Sequence, residues 1–319
     1  MTMHVDEVDE ATWQAAWLAC PAATFFHSPA WYRLACELEG GRATAHRFRF
    51  ADGREAVLPM RLSRSFRGLV SRVECGVQNG YGGLLEARPL DGAQRRAIAA
   101  WLTSRWQDVV WTGNPHDPSE PFWGAGVAAQ DETRVVDLQP FADQLAACHA
   151  TRRRHWRRAE QDHLSVRLVD APDGALLQAI YSLYRDHATR WQYTRWLREA
   201  SYFRQLFAWG GPHVQLVVMY REAHLLGFQM VATGPAAALQ LNLATDPEAA
   251  EAHAGTYLAL ETMRLLQARA VARVDLLPSG RLTTVRQYKE SLGARPLPFL
   301  RERVMGPWAS ALRSLRRGA

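Results

Sequence analysis

The sequence predicts an α/β fold in which a mixed, twisted sheet flanked by helices occurs twice along the chain. Three observations carry this. Helical and strand-like hydrophobic patterns alternate from end to end, which places helices on the faces of sheets. The order helices, β-meander, helix, strand occurs once before residue 138 and again after it. The chain has 319 residues, of which 48% are hydrophobic, enough for one large domain or two ordinary ones with a full core.

In the first half, residues 10–18 and 29–38 carry helical patterns. Residues 43–50 and 54–62 read as strands joined by the tight turn Ala51-Asp52-Gly53. Residues 70–75 form a third short strand, followed by a glycine-rich loop from Gly76 to Gly83. A long amphipathic helix over 93–106 precedes strands at 109–112 and 133–138. The second half opens with a strongly basic helix over 141–162 and a short strand at 166–169. Helices follow at 175–191 and 200–209. Strands at 214–220, 225–233 and 238–245 then form a meander with turns at Arg221-Glu222-Ala223 and Gly234-Pro235. A helix over 255–268 and a strand over 272–277 complete the repeat. Pro140 suits a first helical position, so the domains are expected at 1–138 and 139–319.

Composition narrows the function. Net charge is +6, compatible with a polyanion such as RNA or with peripheral contact at an anionic inner-membrane surface, and demanding neither. No stretch reaches the roughly 18 apolar residues of a membrane helix, and the acidic start Met1-Thr2-Met3-His4-Val5-Asp6-Glu7 is not a signal peptide. A cytoplasmic location is expected. Cys20, Cys36, Cys75 and Cys148 are scattered, with no C-x-x-C pair, and read as small buried hydrophobes. No metal site is expected, since no H-E-x-x-H or comparable ligand spacing occurs.

Of 38 lysines and arginines, one is lysine: Lys289, in Tyr288-Lys289-Glu290-Ser291-Leu292-Gly293. An average chain of this length carries roughly twenty lysines. Under such a bias, a lysine should survive best where the wide, planar guanidinium cannot replace a compact ammonium. The competing reading is a chance survivor on a solvated helix face.

Other motifs are each matched by a plainer reading. The run from Thr151 to Glu160 places five arginines in seven positions; Arg153 and Arg157 share one helix face, and Arg154 and Arg158 the neighbouring one. Such a face can grip phosphates or simply be solvated. The loop Gly80-Tyr81-Gly82-Gly83 permits close approach of a ligand to the backbone, or is an irregular turn.

Four passages together resemble the Fem-like branch of the GNAT acetyltransferase superfamily, which contains the peptidoglycan aminoacyltransferases and shorter bacterial relatives. Phe25-Phe26-His27-Ser28-Pro29-Ala30-Trp31 is similar to its F-x-x-S/T-P-x-W entry, and Tyr81-Gly82-Gly83 to its Y-G-G loop. The segment from Arg152 to Glu160 resembles its R-R-x-I-R-K-A-E helix. Asp275-Leu276-Leu277-Pro278-Ser279-Gly280, with the Lys289 motif, resembles the closing D-x-x-G and F-K-x-x-F-G. The last passage is the most specific.

The resemblance implies two acetyltransferase-like domains in tandem, with Lys289 near the reacting carbonyl. Better-studied members move an amino acid from aminoacyl-tRNA to an amine of a cell-wall precursor. The chain departs from the pattern at three places. Asn114, in Gly113-Asn114-Pro115, stands where those enzymes carry an acid. Tyr288 and Leu292 replace two phenylalanines. The coiled-coil arm of some members is absent, since no heptad run occurs. Apart from that family pattern, the coenzyme A signature Q/R-x-x-G-x-G/A of GCN5-related acyltransferases is missing from Glu251-Ala252-His253-Ala254-Gly255-Thr256-Tyr257.

The expectation is therefore an amide-forming acyltransferase with Lys289 as its catalytic residue. Arg153, Arg154, Arg157, Arg158 and Tyr257 are expected on the donor, and Tyr81, Gly82, Gly83 and Asn114 on an amine-bearing small-molecule acceptor. The donor is aminoacyl-tRNA, and no separate cofactor and no DNA are called for. Alternatives are an N-acyltransferase using a coenzyme A thioester, and a non-catalytic binding module on the same scaffold.

Overall fold

The computed structural model describes residues 2–66, 68–117, 127–162, 164–192, 197–251 and 253–317. In chain order the elements are β1 (Met3–Val8), α1 (Glu10–Ala19), α2 (Pro29–Glu39), β2 (Arg42–Phe50), β3 (Glu55–Ser65), β4 (Val70–Cys75), α3 (Gly92–Arg105), β5 (Asp108–Thr112) and β6 (Val127–Asp137). They continue with α4 (Phe141–Ala147), α5 (Ala150–Gln161), β7 (Ser165–Val169), α6 (Gly174–Arg190), α7 (Ala200–Gly210), β8 (Val214–Arg221), β9 (His224–Thr233) and β10 (Ala238–Thr245). The last are α8 (Glu248–Glu251), α9 (Ala254–Gln267), β11 (Arg273–Asp275), α10 (Thr283–Ser291), β12 (Arg295–Met305) and α11 (Pro307–Arg317). No helix among the described residues is long and apolar enough to cross a membrane.

The starts of several helices are written in their capping residues. The Asp9 carboxylate accepts the Thr12 amide at 2.8 Å before α1. Ser28 Oγ accepts the Trp31 amide at 3.2 Å before α2, whose first residue is Pro29. Asp91 and Gln94 form a reciprocal capping box on α3. Each arrangement satisfies amides that a helix start otherwise leaves unpaired.

The chain divides into two compact units, Met1–Glu132 with Pro298–Ala319, and Thr133–Leu297. This corrects the expected division at 138/139. The sequence places residues 298–319 in the second domain, whereas β12 pairs antiparallel with β5 in the first, from Arg301 opposite Thr112 to Met305 opposite Asp108. Residues 133–137 of β6 pair antiparallel with β11 in the second unit.

In the first unit the strands run in the order β1-β2-β3-β4-β5-β12. β4 and β5 are parallel and joined through α3, while the remaining pairs are antiparallel. Phe48, Leu58, Met60 and Val73 pack with Ile98 and Leu102 of α3 as one core. The acidic first residues form β1, which the sequence reading missed. Met3 and Val5 pack on that core, and Asp6 pairs with Arg47 at 2.9 Å and Arg49 at 3.1 Å. Asp6 thus lies on the face opposite Met3 and Val5, and Glu7 is paired with Arg42.

In the second unit the order is β7-β8-β9-β10-β11-β6. Again one neighbouring pair, β10 and β11, is parallel and joined through a helix, α9, with antiparallel pairs around it. Val231, Val274, Leu260 and Met263 form one core cluster, and Val217, Met219, Ala159 and Leu258 another. The duplicated pattern read from the sequence is thus duplicated strand order.

The expected single basic helix over 141–162 is two helices, α4 and α5. Cys148 (φ −69°, ψ 152°) and His149 (φ −56°, ψ 144°) are extended between them. Arg153 donates to the carbonyls of Ala146 at 3.0 Å and Cys148 at 2.5 Å, and His149 Nδ1 accepts the Thr151 amide at 3.3 Å. These bonds satisfy groups that a continuous helix would have paired internally.

Candidate active site

The second unit places Lys289 in a defined network. β11 ends at Asp275, which is completely buried. Its carboxylate accepts the Thr133 hydroxyl and the Leu277 amide, the latter at 2.7 Å. Leu277 follows in the left-handed region with φ +63°, unusual for a residue with a branched side chain. Lys289, on α10 and 9% exposed, donates from Nζ to the carbonyls of Leu277 at 2.7 Å and Pro278 at 3.2 Å. The reading of Lys289 as a survivor on a solvated face does not hold.

Burial is the largest influence on this ammonium and lowers its pKa to about 8. The Asp275 charge opposes that fall, and Arg134, held by Glu290 at 2.9 Å, adds to it. At neutral pH the group is therefore still a cation, close to its titration range. An ammonium carries three N–H donors; two are spent on the loop carbonyls, which fix the direction of the third.

The arginine run divides into two kinds of residue. Arg153 is structural, spent on the end of α4. Arg152, which the sequence reading did not single out, reaches Ser291 Oγ at 2.8 Å and Thr256 Oγ1 at 3.3 Å and lies 4.8 Å over the Tyr288 ring. It ties α5 to α9 and to the helix bearing Lys289. Arg154, Arg157 and Arg158 are exposed.

Beside them, the His155 and His253 rings stack in parallel at 3.7 Å. His253 is the N-cap of α9, with φ 52° and no side-chain cap bond. Desolvation lowers both histidines, and Arg152, Arg154 and Arg158 lower both further. A helix N-terminus and three guanidinium groups thus converge on neutral imidazoles, an environment that favours an anion. Tyr257 differs from the expectation. It is 9% exposed, belongs to the core cluster with Val217 and Leu258, and lies 6.2 Å from Trp156. Its place is packing under α5, not the donor surface.

In the first unit the loop after β4 is held by its own backbone. A Cβ on Gly82 would lie 2.3 Å from the Cys75 carbonyl carbon, and the Gly82 amide donates to Thr112 O at 2.8 Å. Glycine is required there by a backbone crossing rather than by a ligand. Tyr81 is fully buried, between Phe26 at 5.4 Å and Phe299 at 5.3 Å, which corrects the expectation that it offers its ring to an acceptor. A Cβ on Gly83, which has φ +134°, would meet the Asn114 side chain at 3.4 Å. Asn114 donates from Nδ2 to Ala22 O at 2.7 Å and accepts the His116 amide at 3.1 Å. The four expected acceptor residues do gather in one place, with Tyr81, Gly82 and Asn114 serving the loop itself.

His27, inside the F-F-H-S-P motif, anchors this loop. Its Nδ1 accepts the Thr24 amide at 3.1 Å, so Nε2 carries the proton and donates to Gly82 O at 3.1 Å. Full burial lowers its pKa to about 4. The unfolded chain takes up this proton near pH 6.5 and the folded chain does not. The stability contribution is therefore complete above pH 6.5 and is lost as pH falls toward 4. Over that window the difference is about 3 kcal/mol. Urea unfolding of wild type and His27→Gln from pH 7 to 4 is expected to show their stability difference shrinking in acid. A difference independent of pH would show that His27 is not held neutral.

Three exposed or half-exposed groups that no sequence spacing revealed, His224, Asp246 and Glu248, bring ligand atoms within 4.8 Å of one another. Exposed acidic groups so gathered are common without a metal ion.

Residues 146–290 match the family model described as an acetyltransferase (GNAT) domain. This chain carries a GNAT domain. Residues 146–290 thus form an acetyltransferase-type domain, and the fold of the chain is similar to those of FemX and of a tandem GNAT protein. FemX is similar over 93% of this chain and 96% of its own, with TM-score 0.67 and 10% identity. A tandem GNAT protein from the clavulanic acid biosynthesis pathway matches over 96% of this chain and 99% of its own, with TM-score 0.53 and 15% identity. L-PGS from Bacillus licheniformis matches over 86% and 91%, with TM-score 0.50 and 12% identity. No curated protein matches by sequence. The GNAT match contains both the arginine run and Lys289.

Proposed function

We propose that this GNAT acyltransferase forms an amide by moving an aminoacyl group from aminoacyl-tRNA to the amine of a small-molecule or cell-envelope precursor. The observation that carries the reading is the buried Lys289 ammonium, aimed by two loop carbonyls and titrating close to neutrality. The acceptor nitrogen attacks the ester carbonyl, and the carbonyl oxygen becomes an oxyanion. That attack forms the C–N bond; collapse then restores the carbonyl, breaks the C–O bond to the ribose, and the proton lost by the amine nitrogen ends on the departing ribose oxygen. The remaining Lys289 N–H stabilises the oxyanion, a role worth roughly 3 kcal/mol or more in a water-poor site. The non-catalytic alternative leaves unexplained why the chain's lone lysine is buried at this loop.

The exposed Arg154, Arg157 and Arg158 fit the donor's phosphates, and the Fem-like resemblance supports tRNA as the carrier. A specific observation also favours the coenzyme A thioester: the positive cluster gathers at the start of α9, where a compact pyrophosphate can be held by a helix N-terminus.

Both donors are phosphate-bearing, so Arg154→Glu with Arg158→Glu is expected to raise the donor Kd at least tenfold. Phosphate contacts release counterions, so the salt dependence of binding should also flatten. Titrating total aminoacyl-tRNA and acetyl-CoA separately at two salt concentrations tests this. Identical affinity and salt slope in the variant for both donors would leave the arginines as a solvated surface.

A further inference from the structure

The catalytic reading uses Lys289 but leaves the buried Thr133–Asp275 pair without a role. Asp275 is completely buried and would be costly to place there without partners. Its carboxylate takes the hydroxyl of Thr133, from the adjacent strand β6, and the amide of Leu277 two residues on. Val135 lies opposite Asp275 in the β6–β11 register. The bond to the Leu277 amide accompanies a left-handed turn at that residue, with φ +63°. Such a conformation costs a non-glycine residue on the order of 1 kcal/mol or more, and persists only where surrounding bonds impose it. The turn directs the Leu277 and Pro278 carbonyls at Lys289 Nζ.

We propose that Asp275 and Thr133 are positioning residues for Lys289: the Thr133–Asp275 pair bends the loop so that two carbonyls grip the ammonium. The inference rests on the proposed role of Lys289 and deepens it. The charged groups acting on Lys289 are Asp275 on β11, which favours the cation, and Arg134 on β6, which disfavours it. Arg134 is itself engaged by Glu290 of α10. The Asp275 charge thus opposes the effect of burial on Lys289.

The sequence supplies a direct test, because Lys289 is the only lysine among 319 residues. Protein grown with lysine labelled at Cε and Nζ yields a single lysine signal that needs no assignment. The full-length wild type is expected to titrate with a midpoint near 8. Asp275→Asn keeps a hydrogen-bond acceptor but removes the charge. Its midpoint should fall by about 1 pH unit or more, the usual effect of losing an opposite charge at close range. A merely structural Asp275 would leave the midpoint in place, and coincident titration curves for the two folded proteins would overturn the proposal.

Should Asp275→Asn not fold, Thr133→Val keeps the carboxylate and removes its hydroxyl donor. Exchange of the ammonium protons with water is then expected to quicken several-fold, and Thr133→Ser to restore the slow rate. Equal exchange in wild type and Thr133→Val would also overturn it. No substrate enters these measurements. A failure here leaves the acyl-transfer reading standing, and absence of acyl transfer leaves this coupling standing.

Discussion

Lys289→Met is expected to abolish acyl transfer while the protein remains folded. Methionine keeps most of the stem volume and removes the charge and all three N–H donors. The loss of a preorganised donor at a developing oxyanion costs about 3–4 kcal/mol, a rate loss of roughly two to three orders of magnitude. The Leu277 and Pro278 carbonyls lose their partner at the same time. That should lower stability by only about 1–2 kcal/mol, enough to measure and too little to unfold a two-unit protein. Lys289→Arg is expected to be badly impaired as well. The site is 9% exposed and the ammonium sits 2.7 Å from the Leu277 carbonyl, so a planar guanidinium must displace its neighbours. Steady-state kinetics beside thermal unfolding separates these effects. An arginine variant with near wild-type kcat would remove Lys289 from the oxyanion role.

Gly82→Ala is expected to have the largest effect on folding. The added methyl would lie 2.3 Å from the Cys75 carbonyl carbon and 2.5 Å from the Gly76 amide nitrogen, so relief requires moving backbone. Overpacking at ordinary core positions costs about 1–3 kcal/mol. A clash with the rigid Cys75–Gly76 peptide should reach or exceed the top of that range. The same residue donates to Thr112 O and accepts from His27, so displacement also strands buried polar groups. Denaturant unfolding of the purified variant checks this, and a midpoint close to wild type would show that the loop has slack the structure does not display.

The duplicated architecture was legible because local patterns coincide with final structure: caps, turns and helix periods agree with the observed α1, α2, α3, α6 and α9. β12 was not legible. It contains Pro296 and Pro298, which argue against a strand, and its partner β5 lies almost two hundred residues earlier. β1 was hidden by its charge, which only makes sense opposite the arginines of β2. The break between α4 and α5 depends on one arginine folding back onto carbonyls, an event no periodicity records.

At the site, Lys289 stood out because composition isolated it. Tyr81 and Tyr257 misled for a common reason. An aromatic beside glycines reads alike whether it lines a cleft or fills a core, and burial decides between them. Asp275 lay within a motif, but its partners Thr133 and Leu277 are set by strand register and a left-handed turn, neither of which a sequence displays. His27 stands within the F-F-H-S-P motif, but its contact with Gly82 joins residues 55 positions apart, which no local pattern displays.

Transfer from labelled donor tests the account most directly. Total tRNA charged with labelled amino acids, and separately labelled acetyl-CoA, would be incubated with the full-length protein and a pool of small amines and envelope precursors. The expected result is label moved from tRNA into an amide that survives ribonuclease and mild base. That transfer should require Lys289 and cease when the tRNA is digested beforehand. Label moving from acetyl-CoA alone would contradict the tRNA donor and leave the thioester reading. Transfer from neither donor, or equal transfer by Lys289→Met, would contradict the central claim that Lys289 drives amide formation.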